Sequence, residues 1–206
     1  MKLPSHFYAI VDPFAGHGPV ALATTVLEAG VRVMQLRLKD ATGRDFLADA
    51  RAISALCHRH GAIFIVNDRV DIAILSEADG VHLGQNDIPL EAGRKLLGSG
   101  KIIGVSTSTV EMARAAEAGG ADYIGFGPVF EGGLKHIRQG KGLSNLAQVR
   151  AAVKLPIVAI GGITEATVPD VLASGADAAA IITDVVSAPD VPAKIRSILA
   201  IEPPVR

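Results

Sequence analysis

Short apolar runs rich in Val and Ile recur along the chain, and amphipathic stretches separate them. The runs are Phe7–Val11, Val31–Leu38, Ala62–Val66, Gly80–Leu83, Ile102–Val105, Tyr123–Phe126, Ile157–Ile160 and Ala178–Ile182, eight in all. Each is short and almost continuously apolar, as a strand buried on both faces of a parallel sheet must be. The stretches between them predict helices. Pro19–Ala29 and Arg44–His60 stop at Gly30 and Gly61, and Ala166–Ser174 stops at Gly175. Glycine suits such positions because it enters the left-handed region without a Cβ clash. Thr109–Ala118 follows Ser108, an N-cap candidate, and stops at Gly119-Gly120. Ser144–Val153 forms another helix, and Val70–Leu75 and Leu90–Leu96 form shorter ones.

Eight strands therefore alternate with helices within 206 residues. That order predicts an α/β protein with a parallel sheet covered by helices. Eight units predict closure into a single (β/α)8 TIM barrel over residues 1–206, with a flexible tail from about 201. The alternative is an open doubly wound sheet, but no G-x-G-x-x-G follows a first strand.

Composition narrows the function classes. Hydrophobic residues make up 49% of the chain and charged residues 20%, which supplies a large core. Lys plus Arg number 20 against 21 Asp plus Glu, so no basic excess points to nucleic acid and no charge block to a membrane surface. Aromatics are only 4%, a poor supply for stacking on bases. The single cysteine, Cys57, excludes a disulfide framework and fits a cytoplasmic protein. No apolar run reaches the length of a membrane span. The expected partners are small molecules, and a homo-oligomer is left open.

In a barrel the chemistry sits where the strands end, and the polar residues of this chain gather there. Gln35, Arg37 and Lys39 alternate with Leu36 and Leu38 on strand two. Period-two alternation points the three polar side chains into the barrel mouth. Two cations there call for an anion, either a bound phosphate or diphosphate, or an internal salt bridge to Asp12, Asp68 or Asp87. Asp68 and Asp87 end strands three and four. Beside a diphosphate they would suit Mg²⁺, and otherwise they are ordinary loop acids. Gly161-Gly162 after strand seven and Ile182-Thr183 after strand eight occupy the loops through which barrels often hold phosphate. The longest loop, residues 127–142, is rich in Gly and Lys and could carry Lys135 onto a phosphate as a lid. His82, inside strand four, reads as a satisfied interior histidine.

These residues resemble the thiamine phosphate synthase family and its TenI-type thiazole tautomerase relatives. The resemblance spans nearly the whole chain, through Tyr8-Ala-Ile-Val-Asp12, Gln35-Leu-Arg-Leu-Lys39, Asn67-Asp-Arg-Val-Asp71, Ala78-Asp-Gly-Val-His-Leu-Gly-Gln85, Gly104-Val-Ser106, Gly120 to Phe130 and Ala159-Ile-Gly-Gly-Ile163. It implies a transferase that joins hydroxymethylpyrimidine diphosphate to thiazole phosphate with release of pyrophosphate. It further implies that Gln35, Leu36, Arg37, Leu38, Lys39, Asn67, Ser106 and Lys135 hold the pyrimidine diphosphate. Asp68 and Asp87 would then bind Mg²⁺, and Gly162, Ile182 and Thr183 the thiazole phosphate. Arg37, Lys39 and Lys135 would stabilise the charge on the departing pyrophosphate.

The chain departs from the family at two points. The family's Pro-Thr-x-Thr/Ser-Lys after strand six is Glu131-Gly132-Gly133-Leu134-Lys135 here, and its Ser-x-His after strand five is Ser106-Thr107-Ser108. Loss of two loop hydroxyls predicts weak acceptor binding and a weak synthase. The tautomerase alternative needs a histidine at the position of Pro128.

Overall fold

A computed structural model describes residues 2–12, 18–132 and 139–204. Its strands are β1 (Phe7–Val11), β2 (Val33–Leu36), β3 (Ile63–Asn67), β4 (Gly80–Leu83), β5 (Ile102–Thr107), β6 (Tyr123–Phe126), β7 (Ile157–Ile160) and β8 (Ala178–Ile181). They pair in parallel in chain order, and β8 closes on β1, with Ala9 opposite both Met34 and Ile181. Helices α1 (Pro19–Glu28), α2 (Gly43–Arg59), α3 (Val70–Leu75), α4 (Leu90–Leu97), α5 (Val110–Ala118), α6 (Gly142–Ala152), α7 (Val168–Ala173), α8 (Thr183–Val186) and α9 (Val191–Leu199), with a short 3-10 turn at Glu165–Thr167, complete the described elements. The expected (β/α)8 barrel is the fold. Among the described residues no helix is long and apolar enough to cross a membrane.

The alternation of side chains divides the core into two layers. Phe7, Ala9, Val11, Met34, Leu36, Phe64 and Val66 face outward and pack against the helices. Tyr8, Ile10, Val33, Tyr123, Val158 and Ala180 face inward and fill the barrel. Both layers are buried, which explains why the strands read as continuous apolar runs.

Three strand starts share one fastening. An Ala-Asp pair precedes β4, β6 and β8, and the aspartate accepts the N–H of the first or second residue of the preceding strand. Asp79 takes Phe64 N, Asp122 takes Ile103 N and Asp177 takes Ile157 N, each at 2.8 Å. Arg94 and Arg150 of the preceding even-numbered helices reach Asp122 and Asp177 at 2.5 and 3.1 Å. These groups lie at the bottom of the barrel, away from the strand ends that carry the polar cluster. Asp122→Ala strips Ile103 N–H of its acceptor and Arg94 of its carboxylate partner, leaving that guanidinium its bonds to the Gly98, Lys101 and Gly120 carbonyls. It is therefore expected to lower stability by about 2 kcal/mol with unchanged kinetic constants, as urea melts and steady-state assays would show.

Two local readings are corrected, and two helices appear that the sequence did not predict. Strand two stops at Leu36, not Leu38, although Arg37 N still donates to Val11 O at 2.9 Å. Thr109, not Ser108, caps α5, its hydroxyl accepting from Met112 N. The last two helices follow β8 without an amphipathic pattern long enough to announce the first: α8 is four residues. Residues 201–204 form no regular element.

Candidate active site

The C-terminal ends of the strands open into one cavity of about 1460 Å³, lined by Gln35, Arg37, Lys39, Asn67, Asp68, Asp87, Ser106, Gly162, Ile182 and Thr183 among others. All but three of the candidate site residues thus meet in one place. Leu36 and Leu38 do not: they face outward into the layer against the helices, as alternation requires. Lys135 lies outside the described residues.

Gln35 is buried inside the barrel and Arg37 follows it upward to the rim. Both cations have carboxylate partners. Arg37 Nη1 is hydrogen-bonded to Asp12 Oδ2, and Lys39 Nζ to Asp68 Oδ2. The internal salt bridges are therefore present. They do not exclude the phosphate reading, because Arg37, Lys39 and Asp68 line the cavity and the pairs stay partly exposed, with side-chain exposures of 23% and 15% for Arg37 and Asp12.

Asp68 sits at φ +64°, in the left-handed region, so the chain turns sharply at the end of β3 and brings its carboxylate to face that of Asp87. Asp87 also accepts from Gly84 N at 2.7 Å. Desolvation first, then the hydrogen bond and charge of Asp68, push the Asp87 carboxyl above its usual range. Two facing carboxylates with one lysine suit a hard divalent ion that takes its remaining oxygens from substrate phosphate and water. Among the described residues no three His, Cys, Asp or Glu side chains gather at one point.

The loops after β6, β7 and β8 are locked together. Val129 N and Phe130 N donate to Ile160 O and Gly161 O at 2.9 Å, extending the pairing past the strand ends. A Cβ on Gly162, which has φ +64°, would lie 2.4 Å from Glu131 O, so only glycine fits there. Glu165 N donates to Asp184 Oδ2 at 2.9 Å, and Lys194 of α9 bridges Glu165 and Asp184 at 2.8 and 2.9 Å. That lysine on the last helix pins the loops of β7 and β8.

A polar chain crosses the barrel beneath the rim. Gln35 Nε2 donates to Tyr8 Oη at 3.1 Å, Tyr8 Oη meets Tyr123 Oη at 2.8 Å, Tyr123 Oη meets His82 Nδ1 at 2.9 Å, and His82 Nε2 meets Ser106 Oγ at 2.9 Å. Two strand glycines make room for the rings. A Cβ at Gly104 would fall 2.0 Å from Tyr123 Cζ, and one at Gly125 would fall 3.0 Å from His82 Cε1. Burial, its largest cause, raises the Tyr8 hydroxyl to about 12 and lowers His82 to about 4, so both are neutral near pH 7. His82 is indeed a satisfied interior histidine, but its edge and Tyr123 also face the cavity. Sequence reasoning missed Tyr8, Tyr123 and Lys194. The glycines at 104 and 125 were the available signal, since glycine inside a strand often marks a close approach.

The model of a family described as thiamine monophosphate synthase matches residues 7–185. The thiamine-phosphate synthase of Methanocella arvoryzae is 49% identical over 197 residues, 94% of this chain and 93% of that one. That of Methanoculleus marisnigri is 47% identical over 194 residues, 93% of this chain and 92% of its own. The solved structure of thiamine phosphate pyrophosphorylase from Pyrococcus furiosus superimposes with a TM-score of 0.86 at 35% identity, covering 93% of this chain and 92% of that one.

Proposed function

The chain belongs to the thiamine monophosphate synthase family, and from that premise we infer that it is a thiamine-phosphate synthase, a transferase that joins hydroxymethylpyrimidine diphosphate to thiazole phosphate. The observation that carries the reading into this chain is the shared cavity. Arg37, Lys39 and the Asp68–Asp87 pair flank one side of it, and the locked loops of β7 and β8 the other. The alternative, a TenI-like paralogue that binds or isomerises a thiazole phosphate without synthase activity, is not what the named relatives are.

Asp68 and Asp87 would hold Mg²⁺. Once bound, the ion would supply charge neutralisation at the diphosphate. Arg37 and Lys39 would donate to the diphosphate oxygens, sharing or exchanging their bonds to Asp12 and Asp68. Lys135, if carried in by its loop, would add a third cation. Asn67 and Ser106 would fix the donor beneath them. As pyrophosphate leaves, negative charge grows on its bridging oxygen, and the fixed cations stabilise that charge more than the ground state. The electron-rich pyrimidine carries the positive charge left on its exocyclic carbon. The thiazole nitrogen then supplies the electron pair of the new C–N bond, so no protein nucleophile is required. Gly162, Ile182 and Thr183 would hold the acceptor phosphate. A cytoplasmic location is part of the proposal; Cys57 is free and buried, as a reducing compartment allows.

The deciding experiment incubates the protein with both substrates and Mg²⁺. Thiamine phosphate and pyrophosphate should appear in equal amounts, and omission of either substrate should abolish both. Absence of thiamine phosphate would overturn the reading.

The atypical loop yields a further expectation. Reinstating a family hydroxyl at Gly132 looks beneficial on paper, but Gly132 has φ +93°, a conformation closed to a β-branched residue. Gly132→Thr alone should therefore raise the acceptor KM rather than lower it, and leave the donor KM near wild type.

A further inference from the structure

The hydrogen-bond chain from Gln35 to Ser106 has a direction that proton counting fixes. Gln35 Nε2 donates to Tyr8 Oη. The other hydrogen-bonding contact of that hydroxyl is Tyr123 Oη. The Tyr8 proton, buried in the barrel, therefore goes to Tyr123 Oη, because the amide N–H across from it cannot accept. Tyr123 Oη also lies in hydrogen-bonding reach of the Gln35 amide, whose N–H can only donate, so, having accepted the Tyr8 proton, it gives its own to the one partner that can accept, His82 Nδ1. A nitrogen that accepts carries no proton, so the neutral ring holds its hydrogen on Nε2 and donates it to Ser106 Oγ. Ser106 Oγ accepts from the ring, and its hydroxyl proton is left to turn toward the cavity that the residue lines.

The opposite polarity fails the same count. With a proton on Nδ1, Tyr123 Oη would face two incoming donors, Tyr8 and His82, and its own proton would have no acceptor among these partners. A cationic ring fails in the same way, and both of its partners are neutral hydroxyls. The room cut for the two rings by Gly104 and Gly125 shows that the barrel wall is shaped around this chain.

We propose that Gln35, Tyr8, Tyr123 and His82 form a one-way relay that locks His82 as its Nε2–H tautomer and presents the Ser106 hydroxyl to the cavity as a hydrogen-bond donor, making His82 and Tyr123 positioning residues for an anionic or lone-pair acceptor on the donor substrate. The nature of that acceptor rests on the synthase reading above; the polarity of the relay does not.

Ring ¹⁵N spectroscopy of histidine-labelled protein tests the polarity directly. The chain has six histidines, and the signal missing from His82→Asn identifies His82. The expected spectrum shows Nε2 protonated and Nδ1 bare in the wild type. A ring protonated on Nδ1 overturns the proposal, whether or not the protein makes thiamine phosphate. Tyr123→Phe removes the proton delivered to Nδ1, so the signal should shift to a mixture of tautomers. The same variant should raise the donor KM about tenfold and leave the acceptor KM unchanged. His82→Gln, whose amide nitrogen reaches the Nε2 position, should retain more donor affinity than His82→Asn, whose amide reaches only the Nδ1 position. Binding of intact hydroxymethylpyrimidine diphosphate by calorimetry, with the acceptor left out, gives the same ranking without turnover. If Tyr123→Phe changes neither tautomer nor donor KM, the relay has no positioning role.

Discussion

Asp68→Asn combined with Asp87→Asn is expected to lower kcat/KM by about a thousandfold while the barrel stays folded. Losing a metal that neutralises charge on a departing diphosphate removes several kcal/mol of transition-state stabilisation, and about 4 kcal/mol corresponds to a thousandfold. Asparagine is the informative replacement at both positions for reasons of local geometry. Asp68 sits at φ +64°, where asparagine is well tolerated and alanine is strained. Asp87 accepts from Gly84 N, and an asparagine side-chain oxygen accepts that bond equally well. Lys39 loses the charge of its partner, but its side chain is 48% exposed, so solvent compensates at little cost. The measurement besides turnover is binding of Mn²⁺, followed by its electron spin resonance, in the presence of inorganic pyrophosphate. The wild type should bind and the double variant should not. Unchanged metal binding and unchanged metal dependence of the rate would remove Asp68 and Asp87 from the metal site.

The two-layer barrel was legible because both faces of each strand are buried. Parallel strands between helices and a filled barrel leave no wet face, so their apolar runs stand out against the amphipathic helices. Four of them, Phe7–Val11, Gly80–Leu83, Tyr123–Phe126 and Ile157–Ile160, end where the sequence says they end. Strand two is shorter than its pattern predicts because the alternation of Gln35, Arg37 and Lys39 continues after the sheet stops at Leu36. The inward aim survives as far as the rim because Arg37 N keeps its bond to Val11 O.

The site was only half legible, for a physical reason. Charged residues at strand ends announce themselves, since burial would be costly for them without a function or a partner. Tyr8 and Tyr123 do not, because an apolar ring inside a strand reads as core. Their hydroxyls become polar features only when the barrel closes and sets β1 beside β2 and β8, with β6 across the interior. Lys194 is more remote still. It is eight residues past the end of α8, in the last helix, and its role comes entirely from the fold bringing α9 under Glu165 and Asp184. The partners of Arg37 and Lys39 were likewise undecidable from spacing, because Asp12, Asp68 and Asp87 all converge on the same mouth.

That ambiguity makes Arg37→Ala the second large and discriminating test. If the guanidinium serves the diphosphate, its removal should cost about 3 kcal/mol of donor binding, the upper range for a charge-assisted hydrogen bond, or about a hundredfold in donor kcat/KM. The cost to folding should be smaller. Asp12 is left without its cation, but the pair sits at the rim rather than in the core, with side-chain exposures of 23% and 15%, so a loss of about 1 kcal/mol is expected. Arg37→Lys should fall between wild type and alanine, since an ammonium keeps the charge and loses the planar fork that fits two oxygens at once. Asp12→Asn completes the comparison. It frees the guanidinium without removing it, so donor binding should persist. Binding of inorganic pyrophosphate, measured beside thermal melts of the same four proteins, separates the two roles. A substrate-binding arginine loses affinity and keeps its melting temperature. A structural arginine does the reverse, and if Arg37→Ala melts many degrees lower while pyrophosphate still binds as in the wild type, the salt bridge to Asp12 is the reason the residue is there.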